Sequence, residues 1–111
     1  MSPLGSFPAK HQTRGGAAVS GQTATANAEI INKLGLHIRP SRQFSSLANS
    51  WDAVVTVRNQ ERSAAGDSQL DLLMLLANEG TVLEISATGP QASEAVASLV
   101  KLIEDRFGEK E

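Results

Sequence analysis

The sequence predicts an α+β domain with the element order βαββαβα. Short segments in which apolar and polar residues alternate indicate half-buried strands. Other segments repeat apolar residues at intervals of three and four, which is typical of helices with one buried face. Gly, Pro, Asn and Asp separate these segments. Four strands with helices covering one face form a two-layer domain.

The N-terminal part of the chain differs in composition from the rest. The protein has 111 residues, a length that suits one domain. Residues 1–28 are rich in Gly, Ser, Thr and Ala and hold few large apolar side chains. Such a segment buries too little surface to offset its ordering entropy. We therefore expect a disordered N-terminal tail over 1–28 and a folded domain over 29–111.

The first half of that domain begins with a strand predicted over 29–34, with Ile30, Ile31 and Leu34 as its apolar positions. The helix that follows is predicted over 41–50, because its apolar residues have the three-and-four spacing of one buried stripe. A strand rich in valine comes next, over 53–58.

The second half continues with a weaker strand over 62–65. Asp67 or Ser68 can cap a short helix over 69–76, since both side chains accept hydrogen bonds from helical N–H groups. Alternation predicts the fourth strand over 81–87. The last helix is predicted over about 91–107, with these residues on its apolar face: Ala92, Ala95, Val96, Leu99, Leu102, Ile103 and Phe107.

Composition excludes several kinds of site and partner. The chain has no cysteine, which removes disulfides and thiolate chemistry and suits the reducing cytoplasm where we expect the protein. Its only histidines are His11 and His37, too few for a histidine-rich metal cluster. The net charge of −2 does not indicate a nucleic-acid partner. No apolar run reaches the roughly 18 residues of a membrane-spanning helix, so we expect no membrane insertion.

The segment 35–41, Gly-Leu-His-Ile-Arg-Pro-Ser, carries the clearest chemical signal. His37 lies beside a predicted helix start, where free backbone N–H groups and the helix dipole attract anions. Its imidazole, commonly neutral at pH 7, could bind a phosphate or attack a phosphoryl group, with Arg39 sharing the charge. Alternatively, His37 is only a helix-end residue, and periodicity does not decide between these interpretations.

These residues resemble the active-site segment of HPr, the histidine-containing phosphocarrier family of the bacterial phosphotransferase system. Similar residues continue across about 29–107 without obvious gaps. They include Gln43-Phe44, Trp51, Arg62-Ser63-Ala64, Ser68, Gly80-Thr81-Val82 and Leu99-Val100-Lys101-Leu102. The resemblance implies an open-faced β-sandwich, a four-stranded antiparallel sheet with three helices on one face.

The resemblance also implies a stoichiometric carrier with no cofactor. His37 would accept a phosphoryl group, on Nδ1 in this family, from enzyme I and pass it to an enzyme IIA. Arg39 would stabilise the phosphoryl group. Ser68 matches the family's regulatory serine, which an HPr serine kinase modifies in many bacteria, although a plain N-cap is an equal alternative. We expect a monomer.

The residues expected to bind partners depart from the family pattern. HPr proteins dock through an apolar patch rimmed by basic residues, and here the candidates are Ile38, Arg42, Leu70, Leu73 and Met74. The first helix keeps only Arg42 as a base on this face, so steering toward acidic partners should be weaker. Three alternatives to the sugar-transport carrier stay open. One is a nitrogen-branch regulatory carrier, and another is a binding module controlled through Ser68. The third is a small structural domain with a fortuitous loop.

Overall fold

A four-stranded antiparallel sheet carries three helices on one face. The computed structural model describes residues 22–111. Its elements are β1 (Thr23–Glu29), α1 (Ile38–Asn49), β2 (Val54–Asn59), β3 (Arg62–Ala65), α2 (Gln69–Leu73), β4 (Val82–Thr88), α3 (Ala92–Glu104) and a 3₁₀ turn (Arg106–Gly108). The strands lie in the order β1-β4-β2-β3. The predicted α+β class and the order βαββαβα are confirmed.

The core lies between the sheet and the helices. In β2 and β4 every second residue faces it, and the register pairs Val57 with Ile85 and Val55 with Ala87. Burying each large aliphatic side chain contributes about 1.5–3 kcal/mol. The helices complete the core with these buried residues: Phe44, Ala48, Leu72, Ala92, Ala95, Val96, Leu99 and Ile103.

The first strand was placed wrongly by the sequence analysis. The strand is Thr23–Glu29, and the chain leaves it before most of the predicted 29–34 segment. Ile30 is buried next to the strand end, but a turn follows and Leu34 is exposed. The alternation that builds β1 uses alanines as its inward residues, and alanine is a weak hydrophobic signal. These are Ala24, Ala26 and Ala28.

The predicted boundary of the N-terminal tail is therefore wrong at its end. Thr23 to Glu29 pair with β4 along their whole length, from Thr23–Thr88 to Glu29–Val82. The folded domain includes these residues, so it begins before position 29. The rest of the predicted tail, residues 1–21 with His11, lies outside the described residues.

The helices differ from the predicted bounds at their ends. α1 begins at Ile38, three residues before the predicted start, and α2 ends at Leu73. Phe107 lies beyond α3 but is buried as predicted, because a left-handed backbone at Arg106 and Phe107 folds the chain back. Within residues 22–111, no helix combines the length and apolar character needed to span a bilayer.

Candidate functional site

The loop before α1 is fixed against the segment that follows α2. Gly35 has a φ of +73°, in the left-handed region that glycine adopts without strain. A Cβ at this position would lie 2.5 Å from the carbonyl oxygen of Ala77. The next residue, Leu36, donates its N–H to that same oxygen at 2.9 Å. Only glycine therefore permits this close approach, which determines where His37 lies.

His37 is the N-cap residue of α1. Its backbone is extended, and its carbonyl accepts the N–H of Ser41 at 3.0 Å. Ser41 is buried, and its hydroxyl donates to the Leu36 carbonyl at 3.1 Å, which holds the backbone on both sides of His37. The imidazole makes no capping bond, and the first turn of α1 contains no acidic residue. The anion-attracting end of this helix is thus not neutralised by its own side chains.

The side-chain carboxylate of Glu109, near the C-terminus, contacts the imidazole of His37. His37 Nε2 and Glu109 Oε2 lie 2.7 Å apart, and the exposed fractions of the two side chains are 34% and 16%. The other oxygen of Glu109 accepts a hydrogen bond from Asn32 Nδ2 at 3.0 Å. Asn32 is fully buried and also donates to the Gly35 carbonyl at 2.8 Å. Glu109 therefore holds one ring nitrogen of His37, while the side chain remains partly exposed to solvent.

Arg39 lies two residues after His37, in the first turn of α1. Its side chain is exposed, and its guanidinium has no ion pair or hydrogen bond with any residue of the described part of the chain. Arg42, one turn later, is exposed as well. Both cations can therefore move to meet an anionic ligand or partner without first breaking an internal contact.

Ser68 is the N-cap of α2, as one of the two alternatives predicted. Its hydroxyl oxygen accepts the N–H of Asp71 at 3.2 Å. The adjacent Gln69 donates from Nε2 to the carbonyl of Ile38 at 3.1 Å. This bond links the beginning of α2 to the beginning of α1, so Ser68 and His37 belong to neighbouring parts of one surface.

The apolar residues expected to contact partners are mostly exposed. Ile38, Leu70 and Met74 have their side chains in solvent, and Leu73 is half-buried. Leu72 and Leu75 face the core instead. The surface formed by Ile38, Leu70, Leu73, Met74 and Arg42 is called the docking face below.

Comparison with known proteins agrees with this architecture. Residues 24–105 match the family described as "PTS HPr component phosphorylation site", where PTS denotes the phosphotransferase system. The chain belongs to the HPr family. The phosphocarrier protein NPr of Escherichia coli strain K12 is 41% identical over 88 residues, which cover 78% of this chain and 98% of the relative. The phosphocarrier protein HPr of Neisseria meningitidis serogroup A is 42% identical over 83 residues, covering 75% and 93%.

A solved structure of the HPr family shares the fold. The crystal structure of HPr-C-His from Thermoanaerobacter tengcongensis superposes with a TM-score of 0.76 at 33% identity. The match covers 79% of this chain and 99% of that one. The predicted open-faced β-sandwich is therefore confirmed. As a member of the HPr family, the protein is a phosphotransfer carrier of the phosphotransferase system, and enzymes of that system are its partners.

Two residues around His37 were missed by the sequence analysis. It gave Glu109 no role, and it placed Asn32 in the strand predicted over 29–34. Their link to His37 joins positions 72 residues apart, which no local pattern indicates. Phe107 followed by Gly108 is the one sequence signal that could have indicated a chain reversal bringing Glu109 back to the domain.

Proposed function

We propose that His37 accepts a phosphoryl group from phospho-enzyme I and passes it to an enzyme IIA component. The observation that carries this proposal is the position of the imidazole. It is partly exposed at the amino end of α1, makes no capping bond and has no acidic neighbour in the first helical turn. A phosphoryl group on this ring would lie beside backbone N–H groups that have no helical partner.

The transfer requires positioning and charge stabilisation more than covalent work from the protein. A ring nitrogen attacks phosphorus with its lone pair, while the bond from phosphorus to the donor atom breaks and the donor keeps the electron pair. Delivery to the acceptor reverses these events and restores the free imidazole. Arg39, exposed two residues away, offers its guanidinium to the phosphoryl oxygens. The protein then acts as a stoichiometric carrier without turnover of its own and without a metal or organic cofactor.

Incubation with enzyme I and radiolabelled phosphoenolpyruvate tests this proposal. We expect about one acid-labile phosphoryl group per chain, because a phosphorus–nitrogen bond hydrolyses readily in acid. His37→Ala should abolish the label, and His11→Ala should retain it. A label that survives acid, or that persists in His37→Ala, would contradict the assignment.

We also propose that the docking face binds the partner enzymes. Ile38, Leu70 and Met74 are exposed, and exposed apolar side chains gathered in one patch mark interaction sites. Leu70→Ser should raise the concentration of enzyme I that half-saturates the transfer. Val82→Ser is the matched control, because Val82 is also exposed. The next residue of β4, Leu83, faces the core, so Val82 lies on the sheet face away from the helices. Equal effects of both variants would argue against the docking face.

A nitrogen-branch regulatory carrier is the second candidate function. The docking face has Arg42 as its only base, while Asp67 and Asp71 lie at the start of α2. Fewer positive charges reduce steering toward an acidic partner. The similarity to NPr is compatible with this branch. Measured transfer rates with enzymes I of both branches distinguish the candidates. Faster charging by the sugar-branch enzyme favours the first, and faster charging by the nitrogen-branch enzyme favours the second.

A regulatory role for Ser68 is a further proposal. A phosphate there adds about −1.5 to −2 charges next to the docking face, since Gln69 is bonded to Ile38. An HPr serine kinase with ATP should then leave an acid-stable label that Ser68→Ala loses. The exposed Ser63 gives a control variant, Ser63→Ala, that should keep the label. Without any acid-stable label, Ser68 is an N-cap only.

The setting in which we propose this function is a monomer in the cytoplasm. The sequence contains no cysteine, which suits a reducing compartment. Sedimentation equilibrium should return the mass of one chain, 11.7 kDa. A concentration-independent dimer would contradict the monomer, and export of the full-length protein from its cell would contradict the compartment.

A further inference from the structure

The C-terminal segment places the carboxylate of Glu109 within hydrogen-bonding distance of His37 Nε2. We propose, on the basis of the role assigned to His37 above, that Glu109 is a positioning residue for phosphoryl transfer. Held in place by Asn32, it fixes the hydrogen of the imidazole on Nε2. The lone pair is thereby presented on Nδ1, and the carboxylate balances the positive charge of the phosphorylated ring.

Hydrogen-bond chemistry determines the direction of this contact. An ionised carboxylate can only accept, and the 2.7 Å separation between Oε2 and Nε2 is that of a charge-assisted hydrogen bond. Nε2 therefore carries the hydrogen. A neutral imidazole has only one N–H, so its other nitrogen holds the lone pair. No hydrogen bond from residues 22–111 reaches Nδ1, which leaves it available to a phosphoryl donor.

Asn32 fixes the carboxylate relative to the loop that carries His37. Both hydrogens of its Nδ2 are used, one on the Gly35 carbonyl and one on Glu109 Oε1. Rotating the amide by half a turn would set its oxygen against two acceptors, so the orientation is determined. Because Asn32 is fully buried, the Glu109 carboxylate is tied to the folded loop and not only to its own segment.

The C-terminal segment is held on both sides of Glu109. Before it, Phe107 is buried in the core, and a left-handed backbone at Arg106, Phe107 and Gly108 turns the chain back. After it, the backbone oxygen of Glu111 accepts the N–H of Lys33. Glu109 therefore lies between two attachments of the segment to the domain, as expected of a residue that positions another side chain.

The transfer step balances with Glu109 in this role. Nδ1 attacks phosphorus, and the donor atom leaves with the electron pair of the broken bond. Nε2 keeps its hydrogen throughout, so the imidazole ring gains a positive charge opposite the Glu109 carboxylate. When the acceptor takes the phosphoryl group, the pair of the nitrogen–phosphorus bond returns to Nδ1. No proton has to be removed or supplied, and the same contact serves loading and delivery.

Nitrogen NMR of the full-length, unphosphorylated protein with isotope-labelled histidine tests the positioning directly. His37→Ala assigns the signals and separates them from those of His11. At neutral pH we expect a protonated Nε2, an unprotonated Nδ1 and slow exchange of the Nε2 hydrogen with water. Glu109→Gln should speed this exchange about tenfold or more, the effect of losing one charge-assisted bond. The control Glu104→Gln removes the same charge from an exposed side chain of α3 that has no ion pair or side-chain hydrogen bond within residues 22–111, and it should match the unmodified protein.

The rate of phosphoryl transfer provides the second readout. Glu109→Gln should lower the rate of loading from enzyme I about tenfold to a hundredfold. It should leave the half-saturating concentration of enzyme I unchanged, because Glu109 is outside the docking face. Thermal unfolding confirms that the variant is folded. An Nδ1-protonated ring in the unmodified protein, unaltered exchange in Glu109→Gln, or unaltered loading would overturn the proposal. The NMR result holds even if His37 is not the acceptor, so the two proposals fail separately.

Discussion

Gly35→Ala should destabilise the fold by more than any ordinary glycine-to-alanine change. The φ of +73° places alanine in the left-handed region, which costs about 1–2 kcal/mol. The new Cβ would also lie 2.5 Å from the Ala77 carbonyl oxygen. That oxygen must move, which breaks its 2.9 Å hydrogen bond from Leu36 and costs about 1 kcal/mol or more. The expected loss in the free energy of unfolding is about 2–4 kcal/mol.

The chain offers a matched control for this prediction. Gly80 also has a positive φ, +91°, but a Cβ there meets nothing within 4 Å. Gly80→Ala should therefore show only the backbone term, about 1–2 kcal/mol. Urea unfolding of both variants measures the difference, and a melting temperature should fall by about 4–8 °C for each kcal/mol lost. If the two variants lose equal stability, the close approach of the His37 loop to Ala77 is wrong.

Three further predictions concern the site, its C-terminal anchor and the first strand. Arg39→Ala should change the free energy of unfolding by no more than about 0.5 kcal/mol, because the side chain is exposed. It should slow phosphoryl transfer in a quenched-flow assay, and an unaltered rate would remove Arg39 from the site. Phe107→Ala should cost about 3–5 kcal/mol in urea unfolding, since the ring is buried, and a cost below 1 kcal/mol would show that the C-terminal segment is not packed. Deleting residues 1–28 removes all of β1 except Glu29 and should lower the melting temperature strongly; an unchanged melting temperature would restore the tail boundary predicted from composition.

Local patterns in the sequence were sufficient for most of the fold. The alternation in β4 and the apolar stripe of α3 both reflect burial on one face, so they predict the element and the face together. The prediction of β1 was wrong because the inward positions of this strand are alanines. Ile30 and Ile31 follow the strand, and their strong apolar signal placed the predicted strand too late in the chain. A strand whose inward residues are small depends on its pairing with β4, and such pairing is not visible in a window of a few residues.

In the candidate site too, the sequence predicted the residues with a local signal and missed those brought in by tertiary packing. His37 and Arg39 occur together with a proline at a helix start, so sequence spacing and family resemblance both identify them. Ser68 as an N-cap follows equally from local chemistry. Glu109 approaches His37 only because Phe107 packs into the core and reverses the chain. A contact between residues 72 positions apart depends on that tertiary packing, and no local pattern near the C-terminus indicates it.

The most direct test of the account is to locate the phosphoryl group and follow its transfer in one experiment. The full-length protein is loaded from enzyme I, isolated, mapped by tandem mass spectrometry at neutral pH, and then mixed with an enzyme IIA. The account predicts a single phosphoryl group on the imidazole of His37 that moves to the acceptor as the carrier loses it. A group found on any other side chain, or one that remains on His37 with acceptors of both branches, would contradict it.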